Sequence, residues 1–165
     1  MTALSAFSSN NDSLAAATYI AEQFSSIEPR LVIYFASAGY DQEKIAFQIK
    51  KFFPKASVAG ASSSGEITTG KMINSSCVAM AFDQNSIEKC HLELCLDITN
   101  QDAVKASLAA FETDYNISLS SLPQGEYVGL LLIDGLRKSE EKVMETISAF
   151  TAIPFVGGSA GDDLR

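Results

Sequence analysis

Val58-Ala59-Gly60-Ala61-Ser62-Ser63-Ser64-Gly65-Glu66 runs from an apolar segment into glycines and hydroxyls and ends on a carboxylate. Near the end of the chain, Val156-Gly157-Gly158-Ser159-Ala160-Gly161-Asp162-Asp163 returns to the same wording. What precedes each copy also matches. Leu31 to Ala36 is an apolar strand, followed by Ser37-Ala38-Gly39 and a helix from Asp41. Val128 to Ile133 is an apolar strand, followed by Asp134-Gly135 and a helix from Ser139. Asp41 to Val58 and Ser139 to Val156 are each 17 positions apart. One βαβ unit ending in a Gly/Ser loop is therefore expected twice. The fold class that follows is α/β: a mixed sheet flanked by helices, built from a duplicated αβαβ(ββ) unit with the second copy truncated.

The 165 residues suffice for one compact core. With 47% hydrophobic and 19% charged residues the chain is globular in composition. A formal net charge of −8 repels phosphate backbones and anionic lipid, so neither nucleic acid nor a membrane surface is expected as a partner. The N-terminus shows no secretory signal pattern. Three cysteines, an odd number, suit a reducing cytoplasm better than a disulfide framework.

In chain order, residues 1–11 are expected to be a mobile leader and 12–165 one domain. Asp12 or Ser13 caps a helix to Phe24 whose stripe is Leu14, Ala17, Ala21 and Phe24. The helix from Asp41 turns Ile45, Ile49 and Phe52 inward and stops at Pro54. Gly70 marks a turn. Ser75 to Asp83 and Glu88 to Asp97 read as a hairpin, because Leu92, Leu94 and Leu96 alternate with His91, Glu93, Cys95 and Asp97. Thr99 or Asn100 caps a helix with the stripe Val104, Leu108, Phe111 and Tyr115. A polar loop over 116–126 leads to the second apolar strand and to the helix Ser139 to Phe150. Ile33, Phe35, Leu130 and Leu132 are expected in the core, with Leu92 and Leu94 beneath the hairpin. The second copy stops where the first continues, so the chain reads as a fragment of a longer one.

Parallel crossovers would bring Ser37–Tyr40, Gly60–Glu66, Asp134–Arg137 and Gly158–Asp163 to the carboxyl ends of strands, where open α/β sheets place ligands. The candidate ligand-binding residues are Gly60, Ser62, Ser63, Ser64, Gly65, Glu66, Asp134, Arg137, Gly158, Ser159, Gly161 and Asp162. Glycine permits close backbone approach, serine supplies donors and acceptors, and Arg137 supplies a cation. The two loops are expected to border one cleft. Catalytic patterns fail: Gly65 arrives one place late for a nucleophile elbow, and His91 is read on the outward face of a strand. Gly70-Lys71-Met72 lacks the hydroxyl of a phosphate-binding loop. Cys90 and Cys95 are read on opposite faces, against a zinc site. Neither a catalytic nor a metal residue is assigned.

Leu31-Val32-Ile33-Tyr34-Phe35-Ala36-Ser37, the Val58–Glu66 stretch, Asp134-Gly135 and above all Phe155-Val156-Gly157-Gly158-Ser159-Ala160-Gly161-Asp162-Asp163 resemble the N-terminal part of a FIST domain (F-box and intracellular signal transduction). The resemblance covers the chain from about residue 13. The family's first loop reads closer to Gly-Cys-Ser-[Ser/Thr]-Ala-Gly-Glu, so Ala61 and Ser64 depart from it. The resemblance implies a non-enzymatic, cytoplasmic sensory domain for a small polar ligand such as an amino acid. It implies signalling partners such as a histidine kinase, a chemoreceptor or a cyclic-di-GMP enzyme, and a C-terminal part of the same protein. No cofactor is expected. The alternative is a haem-binding nitric-oxide sensor with His91 as the histidine ligand, and a hydrolase is a remote third reading.

Overall fold

The computed structural model describes residues 3–161, which divide into two compact units, one reaching Leu92 and the other spanning Glu93–Ala160. In the first unit, strands β1 (Ala3–Ser8), β2 (Pro29–Ser37), β3 (Ser57–Ser63) and β6 (Cys77–Asp83) form one sheet in the order β1-β6-β2-β3. β2 and β3 are parallel, joined through helix α2 (Gln42–Phe52), while β6 is antiparallel to both β1 and β2. Helix α1 (Ser13–Gln23) precedes β2. The short strands β4 (Glu66–Thr68) and β5 (Lys71–Ile73) make a separate hairpin, turned by Gly70 at φ 79°.

Helix starts follow local chemistry. Asp12 accepts from the Ala15 N–H at 2.7 Å, and Asp41 accepts from the Lys44 N–H at 3.1 Å. Each carboxylate satisfies a donor that the first turn leaves free and sits at the positive end of the dipole. The core lies between the helices and one face of the sheet. Val32, Tyr34 and Ala36 of β2 meet Ala16, Ala17, Ile20 and Phe24, with Ile45 and Ile49 of α2 and Cys77, Ala79 and Ala81 of β6. Alanines on both α1 and β6 keep the helix close to the sheet, so packing density is reached with small side chains. Leu14 and Phe52, expected inside, are exposed. Ala16 and Ile20 complete the α1 stripe instead. Ile33 and Phe35 occupy the other face of β2 and are half-buried.

Two expectations fail in this unit. Ala3–Ser8, within the expected mobile leader, pair with β6 from Ala3↔Phe82 to Ser8↔Cys77. The Ser/Asn content hid a short edge strand whose Leu4 and Ala6 pack on the core. The hairpin of 75–83 with 88–97 does not form. β6 has β1 on one side and β2 on the other, so no edge remains for residues 88–97, which carry no regular structure. Leu92, Leu94 and Leu96 are 50%, 78% and 86% exposed rather than buried.

In the second unit, β7 (Gly129–Asp134) and β8 (Phe155–Ala160) are parallel and joined through α4 (Glu140–Ser148). Helix α3 (Gln101–Tyr115), capped by Asn100, precedes a 3-10 turn at Leu119–Ser121 within the expected polar loop. Val104, Ile133, Val143 and Ile147 form the core, with Leu108, Leu131 and Phe155 against it. The core face of β7 is therefore the Leu131/Ile133 face. Leu130 is 42% exposed and Leu132 half-buried, because the helices cover one side of this strand pair rather than both.

The two βαβ units share an offset: Leu31 pairs with Ser57 and Gly129 with Phe155, each 26 positions on. The correspondence is not complete. The first unit continues into β4, β5 and β6, and its glycine–aromatic pair, Tyr34↔Gly60, is reversed as Gly129↔Phe155. Nor are the Gly/Ser stretches loops. Pairing continues through Ser37↔Ser63 and through Asp134↔Ala160, so Gly60, Ser62, Ser63, Gly158 and Ser159 are strand residues. The glycines answer to contacts. A Cβ on Gly60 would stand 2.3 Å from the Tyr34 ring, and one on Gly157, at φ 151°, would stand 1.8 Å from the Leu131 carbonyl oxygen. A Cβ on Gly158 meets nothing.

Gly157→Ala is therefore expected to cost about 2 kcal/mol or more, combining overpacking with backbone strain. Gly158→Ala should stay within about 0.5 kcal/mol. Urea unfolding of both variants checks this; equal losses would mean that the β7–β8 approach does not set the glycine requirement.

Candidate functional site

At the carboxyl ends of β2 and β3 the register places Ser37 opposite Ser63. Both hydroxyls donate to Glu66 Oε1, each at 2.8 Å. Across the carboxylate, Ser76 donates to Oε2 through its N–H at 3.2 Å and through its hydroxyl. Glu66 is 1% exposed. A carboxylate is buried only where donors replace its water, and four donors from β2, β3 and the residue before β6 do so here.

The backbone that delivers Ser76 is itself held. Ser75 adopts φ 51°, a left-handed conformation uncommon for serine, and its carbonyl accepts from the Tyr40 hydroxyl at 3.2 Å. Tyr40 also donates to the Asn10 carbonyl at 2.7 Å. The Ser76 carbonyl accepts from the Ser37 N–H at 2.9 Å, so β2 and the start of β6 close on each other around the acid. Burial first, and then the Glu66 charge, push the neighbouring Cys77 thiol from 9.0 up to about 12. Burial likewise leads in raising Tyr40, with Cys77 and Glu66 adding to it.

The second unit carries a different arrangement. Asp134, at the end of β7, accepts from the Leu136 N–H at 3.0 Å and from Arg137 Nε at 3.4 Å. Both side chains are exposed. Ser159 on β8 donates to Glu140 Oε1 at 2.6 Å, the leading cause holding that carboxyl below its usual range. A Cβ on Gly135 would stand 3.0 Å from both the Ala160 carbonyl and the Ser159 Cβ, so the two strand ends are in contact. Asp97 is lowered chiefly by the Thr99 hydroxyl, with Arg137 contributing. Asp97 and Glu140 were not foreseen as part of this cluster. The signal for Glu140 is its place in the first turn after Ser139, a residue that makes no side-chain cap and donates to the Arg137 carbonyl instead.

The expected site residues therefore separate by environment. Ser63 and Glu66 are engaged with one another. Ser62 and Gly65 are half-buried, and Ser64 and Gly60 are exposed. Asp134, Arg137, Gly158 and Ser159 are exposed at the end of the β7–β8 pair. Gly161 groups with the first unit, where a Cβ on it would meet the Ser64 hydroxyl at 3.4 Å. Asp162 and Asp163 lie outside the described residues. His91, read on a strand face, is half-buried in a segment without regular structure. Cys90 and Cys95, read on opposite faces of a strand, are both half-buried in a segment without regular structure.

Two measurements check the cradle around Glu66. Ser76→Ala removes a hydroxyl from a buried acid and should cost about 1–3 kcal/mol, whereas Ser64→Ala should cost less than about 0.5 kcal/mol. Cys77 gives a pH test. Its folded value lies above its unfolded value, so its contribution is intact below pH 9.0 and is lost as pH rises toward about 12. The unfolding free energy from urea titration should fall above pH 9.0 by no more than about 1.4 kcal/mol per pH unit for this group, and Cys77→Ala should flatten the fall. An unchanged slope in that variant would remove Cys77 from the account.

No curated protein and no solved structure matches the chain. The family model of the FIST N domain matches residues 30–165. That match takes in the parallel pairs β2–β3 and β7–β8 and the whole of the Glu66 cradle. The chain belongs to the FIST family through its N domain, a sensory domain of signal transduction.

Proposed function

We propose that this FIST domain senses a small polar ligand at the carboxyl ends of its parallel strand pairs, without catalysing a reaction on it. The observation that carries this reading is the exposed cluster at the end of β7–β8. Arg137 stands beside Asp134, with Glu140 and Ser159 joined at the same strand end. Asp97 also feels the Arg137 charge. A guanidinium can pair a carboxylate in a two-bond fork, and the neighbouring acids can take an ammonium group. A zwitterion such as an amino acid carries both. Gly158, with open space where a Cβ would stand, leaves the β8 backbone approachable there. In the first unit Gly60, Ser62, Ser64 and Gly65 offer hydroxyls and backbone groups beside the engaged Ser63 and Glu66. Gly161 and Asp162 belong to the same proposed set.

The output follows from the sensory role. We propose cytoplasmic action, with a histidine kinase, a chemoreceptor or a cyclic-di-GMP enzyme reading the ligand state, alone or through a C-terminal part of the same protein. Three free cysteines fit a reducing compartment. Among the described residues no helix is long and apolar enough to cross a membrane.

A thermal-shift screen against amino acids and small metabolites tests the reading. A ligand that binds the native state raises the melting temperature, by about 2.7 kcal/mol of stabilisation at a hundredfold excess over Kd. Arg137→Ala should abolish the shift while leaving the melting temperature of the free protein within about 1 °C, since its ion pair is exposed. A shift that persists in that variant would remove Arg137 from the site.

A further inference from the structure

We propose that Ser37, Ser63 and Ser76 form a carboxylate-binding site that Glu66 fills from within, and that the β4–β5 hairpin is the flap which this contact latches. A small-molecule carboxylate reaching the end of β2–β3 is the competing occupant. The inference refines the ligand class of the sensor reading and rests on it for the external ligand alone.

The cradle has the chemistry of a receptor. Two hydroxyls converge on one carboxylate oxygen, and a hydroxyl and an N–H converge on the other. The four hydrogen bonds come from neutral groups. Such a set discriminates a carboxylate by shape and donor count rather than by charge pairing. It lies at the carboxyl ends of two parallel strands, the usual ligand position of an open α/β sheet.

The flap is a short hairpin with little else to hold it. β4 and β5 have three residues each and pair only with one another among the described residues. Two-stranded ribbons of that length are marginal alone. Ile67 and Met72, cross-strand partners, are 77% and 71% exposed, and Glu66 is the hairpin's fully buried residue. A second tie is Lys71 Nζ, 4.7 Å from the centre of the Phe7 ring. The hairpin leaves and rejoins the fold through Gly65 and the left-handed Ser75. Opening it withdraws Glu66 from the cradle and exposes all three serines. A tethered carboxylate has a high effective concentration, so a free one displaces it only with additional contacts of its own. The external ligand is accordingly larger than a bare carboxylate.

Chemical rescue tests the cradle by itself, in the full chain. Glu66→Ala takes the acceptor from the three serine hydroxyls, while the Ser76 N–H keeps Ser37 Oγ at 3.1 Å, and formate has the size and charge of the lost head group. Formate should raise the melting temperature of Glu66→Ala by about 3–6 °C at tenfold excess over its Kd. Formamide, or chloride at matched ionic strength, should not. The unsubstituted protein should show no formate-specific shift, and Ser63→Ala combined with Glu66→Ala should lose most of the rescue. Formate acting no better than chloride overturns the cradle, as does undiminished rescue without Ser63. A Glu66→Ala chain that stays unfolded in formate also counts against it. Hydrogen exchange of the unsubstituted protein tests the flap: the amides of residues 67–73 should exchange before those of β2 and β6. Exchange of the hairpin only together with the sheet overturns the flap. A metabolite screen that finds no ligand defeats the sensor reading and leaves the formate result standing, so the two failures are separable.

Discussion

A buried carboxylate met, among the described residues, by hydroxyls and an N–H rather than by a cation imposes stricter geometry than a hydrophobic contact of the same size. Transfer of the Glu66 carboxylate from water is offset only if several donors meet it together. They come from the ends of separate strands: Ser37 from β2, Ser63 from β3 and Ser76 from the approach to β6. The parallel register of β2 and β3 must therefore be right to the residue. A slip of one position would turn Ser63 to the other face and leave the acid underbonded. The left-handed Ser75 is the cost of aiming the third serine, and its carbonyl, bonded to Tyr40, ties that turn to the connection between β2 and α2. What the sequence presents as a run of small polar residues is the closure of a sheet.

Glycine selection has a comparable origin in contacts. Gly60 lies under the Tyr34 ring, and Gly129 lies under the ring of Phe155, its register partner. An aromatic side chain covering a glycine on the adjacent strand recovers apolar contact that the missing side chain gives up. Gly157 serves the approach of β8 to the Leu131 carbonyl. None of these three glycines makes a turn. Gly70 and Gly125, at φ 79° and 94° with open space around them, are the conventional turn glycines.

The legible parts of the sequence were those decided locally. Asp12, Asp41 and Asn100 start helices because a short polar side chain reaches the first turn whatever lies beyond it. The apolar runs around Val32 and Ile133 are strands for a similar reason. The misread parts were decided by partners far along the chain. Residues 88–97 alternate as a strand does, yet β6 has no edge left to offer them. Ala3–Ser8 look like a tail, yet they supply one of the two strands that occupy β6. Glu66 read correctly as a carboxylate among hydroxyls, but sequence spacing could not tell whether the hydroxyls faced a ligand or that same carboxylate. Glu140 escaped notice because Ser159 reaches it only once β7 and β8 are paired, and Asp97 because the Arg137 charge acts on it only across the folded second unit.

The two strand-end sites differ in what they can do as parts of a sensor. Asp134, Arg137, Glu140 and Ser159 are solvated, so their partners exchange at little cost and a ligand gains little by rearranging them. The Glu66 cradle is desolvated, and every lost bond there matters. A ligand shifts a conformational equilibrium only by the difference in its affinity for the two states. An exposed cluster unchanged by the proposed opening would provide recognition without that difference. A cradle filled in one state and open in the other, as the proposed flap would make it, would provide it. If the flap opens as proposed, one side chain, Glu66, links occupancy of the cradle to backbone position, and the accessible charges of the second unit remain the recognition site proposed for the ligand.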